Sequence, residues 1–365
     1  MTDTPHDEIE DEYQLSLAED VEDESLLEEP SNDVFSITSY GADYPVDTLI
    51  SRLKSEAFFV PTFQRQFVWS QRHASRFIES LLMGLPVPGI FLYKESQTNR
   101  HLVVDGQQRL RTLQFFYAEL FGEKKFRLVG VRPEWSGKTY SELATSDKLK
   151  LDDAVVHATI FQQDEPKETN RSLYFVFERI NSGGIRLSPQ EIRNCINDGP
   201  LLSLVRSCNA YQDWRSLFGK MNNRLKDQEM IMRFMAMRER GADYKRPMRD
   251  FLNAFAADYA NCDPIKLANL GDSFRRSITL CWQAKGTSAF RPSRVLNAAV
   301  FEAVMLGVAA RLDGAKASPK HEAIAVAYDG LLANSVFLRA CERATADDET
   351  VKTRRTMAVA AFAGV

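Results

Sequence analysis

The chain has 365 residues, of which 44% are hydrophobic and 26% charged, and its formal net charge is −4. This is the composition of a globular protein that is long enough for two domains. The longest apolar run, near Met357–Val365, is too short to cross a bilayer, and the acidic N-terminus resembles neither a secretory signal nor a transit peptide. We therefore expect a cytoplasmic protein without a membrane partner.

The charged residues are divided unevenly along the chain. Residues 1–33 hold 14 of the 50 acidic residues and no lysine or arginine, so that residues 34–365 carry 36 acidic and 46 basic residues, a net charge of +10. Strong like charge and few aromatic residues predict a disordered acidic arm over residues 1–33. Such an arm either keeps the protein soluble or imitates an anionic partner, and we expect the basic remainder to contact a DNA backbone.

The histidines and cysteines do not form a metal-binding pattern. The five cysteines lie far apart without a CxxC pair, and the five histidines include no HExxH motif. Buried free thiols are the prediction, and a structural zinc site is not expected. His157 and His321 stand alone, so the sequence lacks the histidine cluster of an HNH-type nuclease.

Strands and helices alternate over residues 34–168. Ser70 is predicted to cap a helix whose apolar residues recur at i, i+3, i+4 and i+7. Two strands follow at Ile90–Lys94 and His101–Val104, joined by a polar turn, and a helix is predicted to run from about Gln107 to Phe121. Further strands are predicted at Lys125–Val131 and Val155–Gln162. We therefore predict a small α+β domain over residues 34–168.

The remainder of the chain, residues 169–365, is predicted to be a mainly α-helical domain. Leu173, Val176, Phe177 and Ile180 form one apolar stripe, which ends before a glycine pair. Further helices are predicted near residues 188–198, 226–240, 247–261, 265–285, 293–313, 319–343 and 350–363.

The stretch V-D-G-Q-Q-R-L-R-T-L ends a predicted strand and begins a predicted helix. The first N–H groups of a helix lack intrahelical partners and carry partial positive charge, so a phosphate can bind there. Gly106 permits a sharp turn and the close approach of a ligand, and Arg109 adds a permanent charge that binds phosphate bidentately. Gln107 and Gln108 can orient water or a base edge, and Asp105 can hold a Mg²⁺ ion between phosphates.

A purely structural interpretation of this stretch is also available. Asp105 is a suitable N-cap, and Gln108 three residues later completes a capping-box pattern, which stabilises a helix by about 1 kcal/mol. Capping does not require Gly106, Gln107 or Arg109. The two interpretations are compatible, because a capped helix can still offer N–H groups to a phosphate.

Two other segments contain candidate ligand residues. Arg65 lies among aromatic residues, where it must be paired, stacked on a ring or directed at a ligand. In the S-P-Q-E segment at residues 188–191, capping accounts for the serine, the proline and the glutamate. Asn181, Arg193 and Asn194 have no capping role and are the better ligand candidates.

Taken in order, four motifs resemble one family. The motifs F-Q-R-x-F-x-W, P-V-P-G-I, D-G-Q-Q-R-L and F-x-R-I-N-S-G-G-x-x-L-S-P-Q-E-I-R-N resemble those of the N-terminal domain of GmrSD-type, modification-dependent restriction systems, in the ParB/sulfiredoxin-like superfamily. The resemblance covers about residues 40–200. It implies a ParB-like α+β domain whose D-G-Q-Q-R turn binds a nucleotide and supports triphosphate hydrolysis.

The resemblance also implies roles for individual residues. The catalytic candidates are Asp105, Gln108 and Arg109, with Asp105 as the candidate ligand of Mg²⁺. The candidates for nucleotide binding are Gln64, Arg65, Gly106, Gln107, Arg109, Asn181, Arg193 and Asn194. Many members of the family carry a C-terminal HNH-like nuclease domain whose histidine motif this sequence lacks, so DNA cleavage by this chain alone is not expected. Either a separate effector nuclease is its partner, or the chain binds and senses DNA without cutting it.

The leading functional hypothesis is a nucleotide-binding protein with NTPase activity. It would act in an anti-phage or DNA-modification-linked system, and its partner would be DNA, modified or not. One alternative is a non-enzymatic DNA-binding or adaptor module that partners a separate nuclease. Another is a ParB-like domain that nicks DNA itself. The nucleotide, the DNA modification and the oligomeric state stay open at this point.

Overall fold

The computed structural model describes residues 21–22, 36–60, 67–95, 98–165, 171–180, 187–197, 199–314 and 319–365. Two compact units are present. We call Val34–Leu187 the sheet unit, and Ser188–Val365 together with Met1–Asp33 the helical unit. Within the predicted acidic arm the structure describes only strand β1, Val21–Glu22, and the rest of the arm lies outside the described residues.

A mixed five-stranded sheet forms the centre of the sheet unit. Its strands are β2 (Ser36–Pro45), β3 (Phe58–Phe59), β4 (Ile90–Lys94), β5 (His101–Asp105) and, after the small hairpin of β6 (Leu120–Phe121) and β7 (Lys124–Lys125), β8 (Val155–Glu165). The order is β2-β8-β4-β5-β3. The β8–β4 and β5–β3 pairs are parallel, whereas the β2–β8 and β4–β5 pairs are antiparallel.

Helices cover this sheet and complete its apolar core. They are α1 (Val46–Lys54), α2 (Gln71–Leu82), α3 (Gln107–Tyr117), α4 (Thr145–Asp152) and α5 (Arg171–Ile180). Helix α3 packs against both α1 and α2. Its buried residues Leu110, Leu113 and Phe116 join Leu92 of β4 and Val103 of β5 in one hydrophobic cluster. Burial of each such side chain stabilises the fold by roughly 1.5–3 kcal/mol.

Several predicted elements of the sheet unit are confirmed. Ser70 caps α2, since its side chain accepts a hydrogen bond from the backbone N–H of His73 at 3.3 Å. The hairpin of β4 and β5 has the predicted limits to within one residue, and β8 begins at the predicted Val155. The prediction of an α+β domain followed by a mainly helical region is confirmed.

Two local predictions are wrong. The helix expected to reach Phe121 ends at Tyr117, because Glu119 takes a positive φ of 56° and Leu120–Phe121 pair with β7 instead. The strand expected at Lys125–Val131 is confined to its first residue. Beyond it, Leu128 exchanges backbone hydrogen bonds with a local loop, which takes the place of a sheet ladder.

The helical unit packs its helices around one apolar cluster. The helices are α6 (Pro189–Ile196), α7 (Pro200–Asn209), α8 (Gln212–Phe218), α9 (Lys226–Arg240), α10 (Met248–Tyr259), α11 (Pro264–Lys285), α12 (Ala298–Asp313), α13 (His321–Leu332), α14 (Ser335–Glu342) and α15 (Asp348–Phe362). Strand β9 (Leu296–Asn297) pairs in parallel with β1. Helix α12 is buried on almost every side, and its Glu302 carboxylate accepts a hydrogen bond from Arg354 of α15 at 2.8 Å.

The cysteines are free thiols, as predicted: four are buried and Cys262 is partly exposed. Burial raises the pKa of Cys208 to about 11, so this thiol stays protonated and unreactive. In the part of the chain that the structure describes, no single helix is long and apolar enough to span a membrane. Helices α13 and α14 together are long and apolar enough for a membrane span, but the two helices are bent by 76° relative to each other.

Candidate functional site

The D-G-Q-Q-R turn connects β5 to α3 through one left-handed residue. Gly106 is the N-cap of α3 and has φ 96° and ψ 9°. A Cβ atom at this position would lie 2.4 Å from Cγ2 of Ile90 on the neighbouring strand β4. Both the positive φ and the contact with Ile90 require glycine, because any larger residue would be strained and would overlap β4. The predicted sharp turn is therefore present, and packing alone explains the glycine.

The interpretation of Asp105 and Gln108 as a capping box is wrong. The N-cap position belongs to Gly106, and no side chain of that residue can cap the helix. The Asp105 carboxylate instead accepts a hydrogen bond from Arg109 Nη2 at 2.6 Å. Gln108 Oε1 accepts hydrogen bonds from the backbone N–H groups of Val68 at 3.0 Å and Trp69 at 3.3 Å. Both side chains thus hold the turn and its surroundings together without capping α3.

Gln108 brings the first motif to the turn. Val68 and Trp69 end the F-Q-R-x-F-x-W motif, and the neighbouring Phe67 packs edge-on against Phe115 of α3, with ring centroids 5.0 Å apart. The described end of that motif is therefore fixed to α3 by hydrogen bonds and ring contacts. Gln64, Arg65 and Asn181, three of the candidate nucleotide ligands, lie outside the described residues.

Arg109 has its charge neutralised within the turn. Its side chain is 15% exposed and that of Asp105 is 37% exposed, and the two form an i,i+4 ion pair. Charge-assisted hydrogen bonds of this length are among the stronger ones in proteins. A phosphate can therefore engage Arg109 only by sharing or displacing the carboxylate of Asp105.

Arg111 is a further candidate anion ligand, which the motifs alone did not predict. It lies one helical turn after Gln107, a spacing that puts the two residues on the same face of α3. Burial lowers the pKa of the half-buried Arg111 guanidinium. Among the described residues no ion pair or hydrogen bond to this guanidinium is found. The i,i+4 spacing of Gln107 and Arg111 is the sequence signal that could have identified it.

Arg193 and Asn194 lie in α6 of the helical unit and are both 1% exposed. Ser188 and Glu191 form the predicted capping box ahead of them. Arg193 donates hydrogen bonds to Asn253, Gln190 and Glu229, and Asn194 donates to Gln228 and accepts from Gln190. These contacts satisfy the two side chains inside the helical unit. A role of Arg193 and Asn194 in nucleotide binding stays a prediction.

Asp105 is the candidate ligand of a Mg²⁺ ion. Across the described ranges, no three His, Cys, Asp or Glu side chains are grouped so that they could hold a metal. Mg²⁺ is often bound by one or two carboxylates together with substrate phosphates and water. Asp105 suits this mode as a single ligand, provided that its carboxylate is released from Arg109.

Comparison with known proteins now identifies the domain. Residues 46–197 match the family described as GmrSD restriction endonuclease, N-terminal domain. These residues belong to the GmrSD N-terminal domain family. The family predicted from the four motifs is therefore confirmed, and the domain begins at α1 and extends through α6. No curated protein matches the chain.

The matched domain suggests a role in a restriction system. The matched range includes all four motifs that resemble this family.

Proposed function

We propose that the GmrSD N-terminal domain of this chain binds a nucleoside triphosphate at the D-G-Q-Q-R turn and hydrolyses it, within a restriction system that acts on DNA. The geometry of the turn is the observation that carries the proposal. Strand β5 passes into α3 through Gly106 alone, which has no side chain to cap the helix. The start of α3 can therefore offer N–H groups and partial positive charge to a phosphate.

The two arginines of α3 have different roles in this proposal. Arg111 supplies the first attraction for the anion, because its charge is half-buried and is not neutralised by a described carboxylate. Arg109 exchanges its hydrogen bond with Asp105 for one with a phosphate oxygen, where a guanidinium binds bidentately. The released Asp105 can then position the attacking water or one Mg²⁺ ion.

The other residues of the turn orient the nucleotide. Gln108 anchors Val68 and Trp69, which follow Gln64 and Arg65 in the sequence. Gln107, the first residue of α3, is placed to contact a phosphate or a base edge. A bound Mg²⁺ ion would neutralise charge on the phosphates. Substrate DNA would contact the basic surface of residues 34–365, and a separate nuclease would cut it.

A second candidate is a non-enzymatic adaptor that binds DNA and a separate nuclease. The Asp105–Arg109 ion pair favours it, since the only charged groups within the D-G-Q-Q-R motif already neutralise each other at 2.6 Å. In that case Arg111 and the start of α3 would bind a phosphate of DNA, and no nucleotide would be consumed.

Phosphate release separates the two candidates. Each of the four common NTPs is incubated with wild type, Arg109→Ala and Arg132→Ala, with and without duplex DNA. Arg132 is an exposed arginine whose ion pair with Glu134 is long, at 3.9 Å, and it serves as the matched control. We expect turnover in wild type and Arg132→Ala and at least a roughly tenfold loss in Arg109→Ala, as for the removal of a group that stabilises phosphate charge. Absence of turnover with intact DNA binding would favour the adaptor.

A further inference from the structure

A basic and aromatic cluster lies at the other end of β5. We call Tyr44, Arg52, Phe58, Lys94 and His101 the edge cluster. The guanidinium carbon of Arg52 lies 5.4 Å from the ring centroid of Tyr44 and 5.3 Å from that of Phe58. The Tyr44 and Phe58 rings meet edge-on at 5.3 Å, and Phe58 contacts the His101 ring at 5.2 Å. Because Tyr44 belongs to β2 and Phe58 to β3, the two edge strands of the sheet approach each other here.

The positive charges of the edge cluster lack acidic partners among the described residues. Arg52 and Lys94 are both half-buried, and neither side chain forms an ion pair or a hydrogen bond within the described ranges. The neighbouring carboxylate of Glu56 faces Arg100 instead, at 3.7 Å. Arg52 contacts two aromatic rings, and neither cation has an anionic partner among the described residues, so both charges are available to a ligand that supplies negative charge.

His101 lies in the same positive field. Burial lowers the pKa of His101, and the nearby charges of Arg52 and Lys94 lower it further. In addition, Nδ1 of His101 is buried without a hydrogen-bond partner. The imidazole is therefore surrounded by groups that oppose its protonation. The negative charge of a bound phosphate would offset the positive charges of Arg52 and Lys94.

The edge cluster is separate from the D-G-Q-Q-R turn. His101 begins β5 and Asp105 ends it, and four residue steps along a strand span roughly 13 Å. A ligand at the edge cluster therefore does not share the phosphate site at the start of α3. The same strand connects the two.

We propose that the edge cluster binds the phosphodiester backbone of duplex DNA. Duplex DNA carries a charge for about every 1.7 Å of its axis, so that Arg52 and Lys94 can engage phosphates together. The rings of Tyr44 and Phe58 hold the Arg52 guanidinium in place, which reduces the entropy that it loses on binding. This inference rests on the part of the proposed function that makes DNA the partner of the chain, and it names the surface that DNA contacts.

Salt-dependent DNA binding tests the proposal. Binding of the full chain to a short fluorescent duplex is measured by anisotropy over a series of salt concentrations, without nucleotide. The variants are Lys94→Gln, Lys94→Arg, Arg52→Gln and, as a matched control, Lys150→Gln, whose charge lies on α4 and is 3.9 Å from Asp147. Each lost phosphate contact makes the slope of log K against log salt shallower by about 0.9.

We expect this change of slope in Lys94→Gln and in Arg52→Gln, and no change in Lys94→Arg or Lys150→Gln. Since Arg52 also packs on two rings, Lys94→Gln keeps the proposal falsifiable if Arg52→Gln unfolds. Wild-type slopes in Lys94→Gln and a folded Arg52→Gln would overturn the inference, as would a wild type that does not bind duplex DNA. Phosphate release without DNA is measured in parallel. If wild type releases no phosphate, the proposed NTPase activity is contradicted, whereas the proposal that the edge cluster binds DNA is not affected.

Discussion

At the scale of single residues, the D-G-Q-Q-R turn illustrates how far motif analysis reaches. The sequence located the turn and its residues, but it assigned the cap to Asp105, one position too early. The N-cap position depends on the left-handed φ of Gly106, and a Cβ atom at this residue would lie 2.4 Å from Ile90 on a neighbouring strand. A local pattern such as D-x-x-Q contains no information about this tertiary contact. The same is true of the Asp105–Arg109 ion pair.

Gly106→Ala tests this account of the turn. Alanine would have to adopt a φ of 96° and would place its methyl group 2.4 Å from Ile90. We expect the free energy of unfolding, measured in urea, to fall by about 2–3 kcal/mol, the sum of backbone strain and overlap. Gly122→Ala is the control, because Gly122 has a φ of 61° and no atom near the added methyl group. Equal losses in the two variants would mean that Ile90 is not the reason for the glycine.

His101 provides a test by pH. Its pKa is lowered in the folded protein by burial and by Arg52 and Lys94. The unfolded chain therefore binds this proton at a higher pH than the folded chain, and stability decreases as the pH falls below about 6.5. We expect wild type to lose more stability than His101→Gln between about pH 7.5 and about pH 5.5, as measured by urea unfolding. Identical losses of stability in the two proteins would contradict the claim that burial and the charges of Arg52 and Lys94 lower the pKa of His101.

At the scale of secondary-structure elements, local periodicity predicted the elements that have clear boundaries. The limits of α9 at Lys226–Arg240 and of β4 at Ile90–Lys94 are as predicted, because both segments are bounded by polar or glycine residues. The helix predicted over residues 319–343 is two helices, since Asn334 caps α14 through hydrogen bonds from the backbone N–H groups of Val336 and Phe337. A new N-cap inside a continuous apolar pattern is easily overlooked.

One substitution can remove the hydrogen bonds between α3 and the F-Q-R-x-F-x-W segment. Gln108→Ala removes the acceptor for the N–H groups of Val68 and Trp69, and each lost hydrogen bond costs about 1 kcal/mol. We expect faster hydrogen exchange of these two amides, with little change in α2 and α3. Gln108→Glu keeps an acceptor oxygen and should restore protection. Unchanged exchange in Gln108→Ala would show that the segment is held by its aromatic contacts alone.

At the scale of the whole molecule, composition and motif order predicted both the fold class and the family. An α+β domain followed by helices, and a GmrSD N-terminal domain over residues 46–197, agree with that prediction. The long-range polar contacts could not be predicted. Arg193 reaches Asn253 and Glu229, and Arg354 reaches Glu302, over separations that no sequence window covers. Buried pairs of this kind follow from tertiary packing, which a local sequence pattern does not describe.

The central claim is that the D-G-Q-Q-R turn binds a nucleotide. Calorimetric titration of each NTP into wild type, Arg111→Ala and Arg132→Ala tests it most directly. We predict that wild type and Arg132→Ala bind at least one NTP equally well, and that Arg111→Ala binds it at least about tenfold more weakly, which corresponds to about 1.4 kcal/mol. Arg111→Ala should unfold at the same denaturant concentration as wild type or a higher one, because it removes a half-buried cation that no described residue neutralises. Absence of binding for every NTP, in wild-type protein that still binds duplex DNA, would contradict the account.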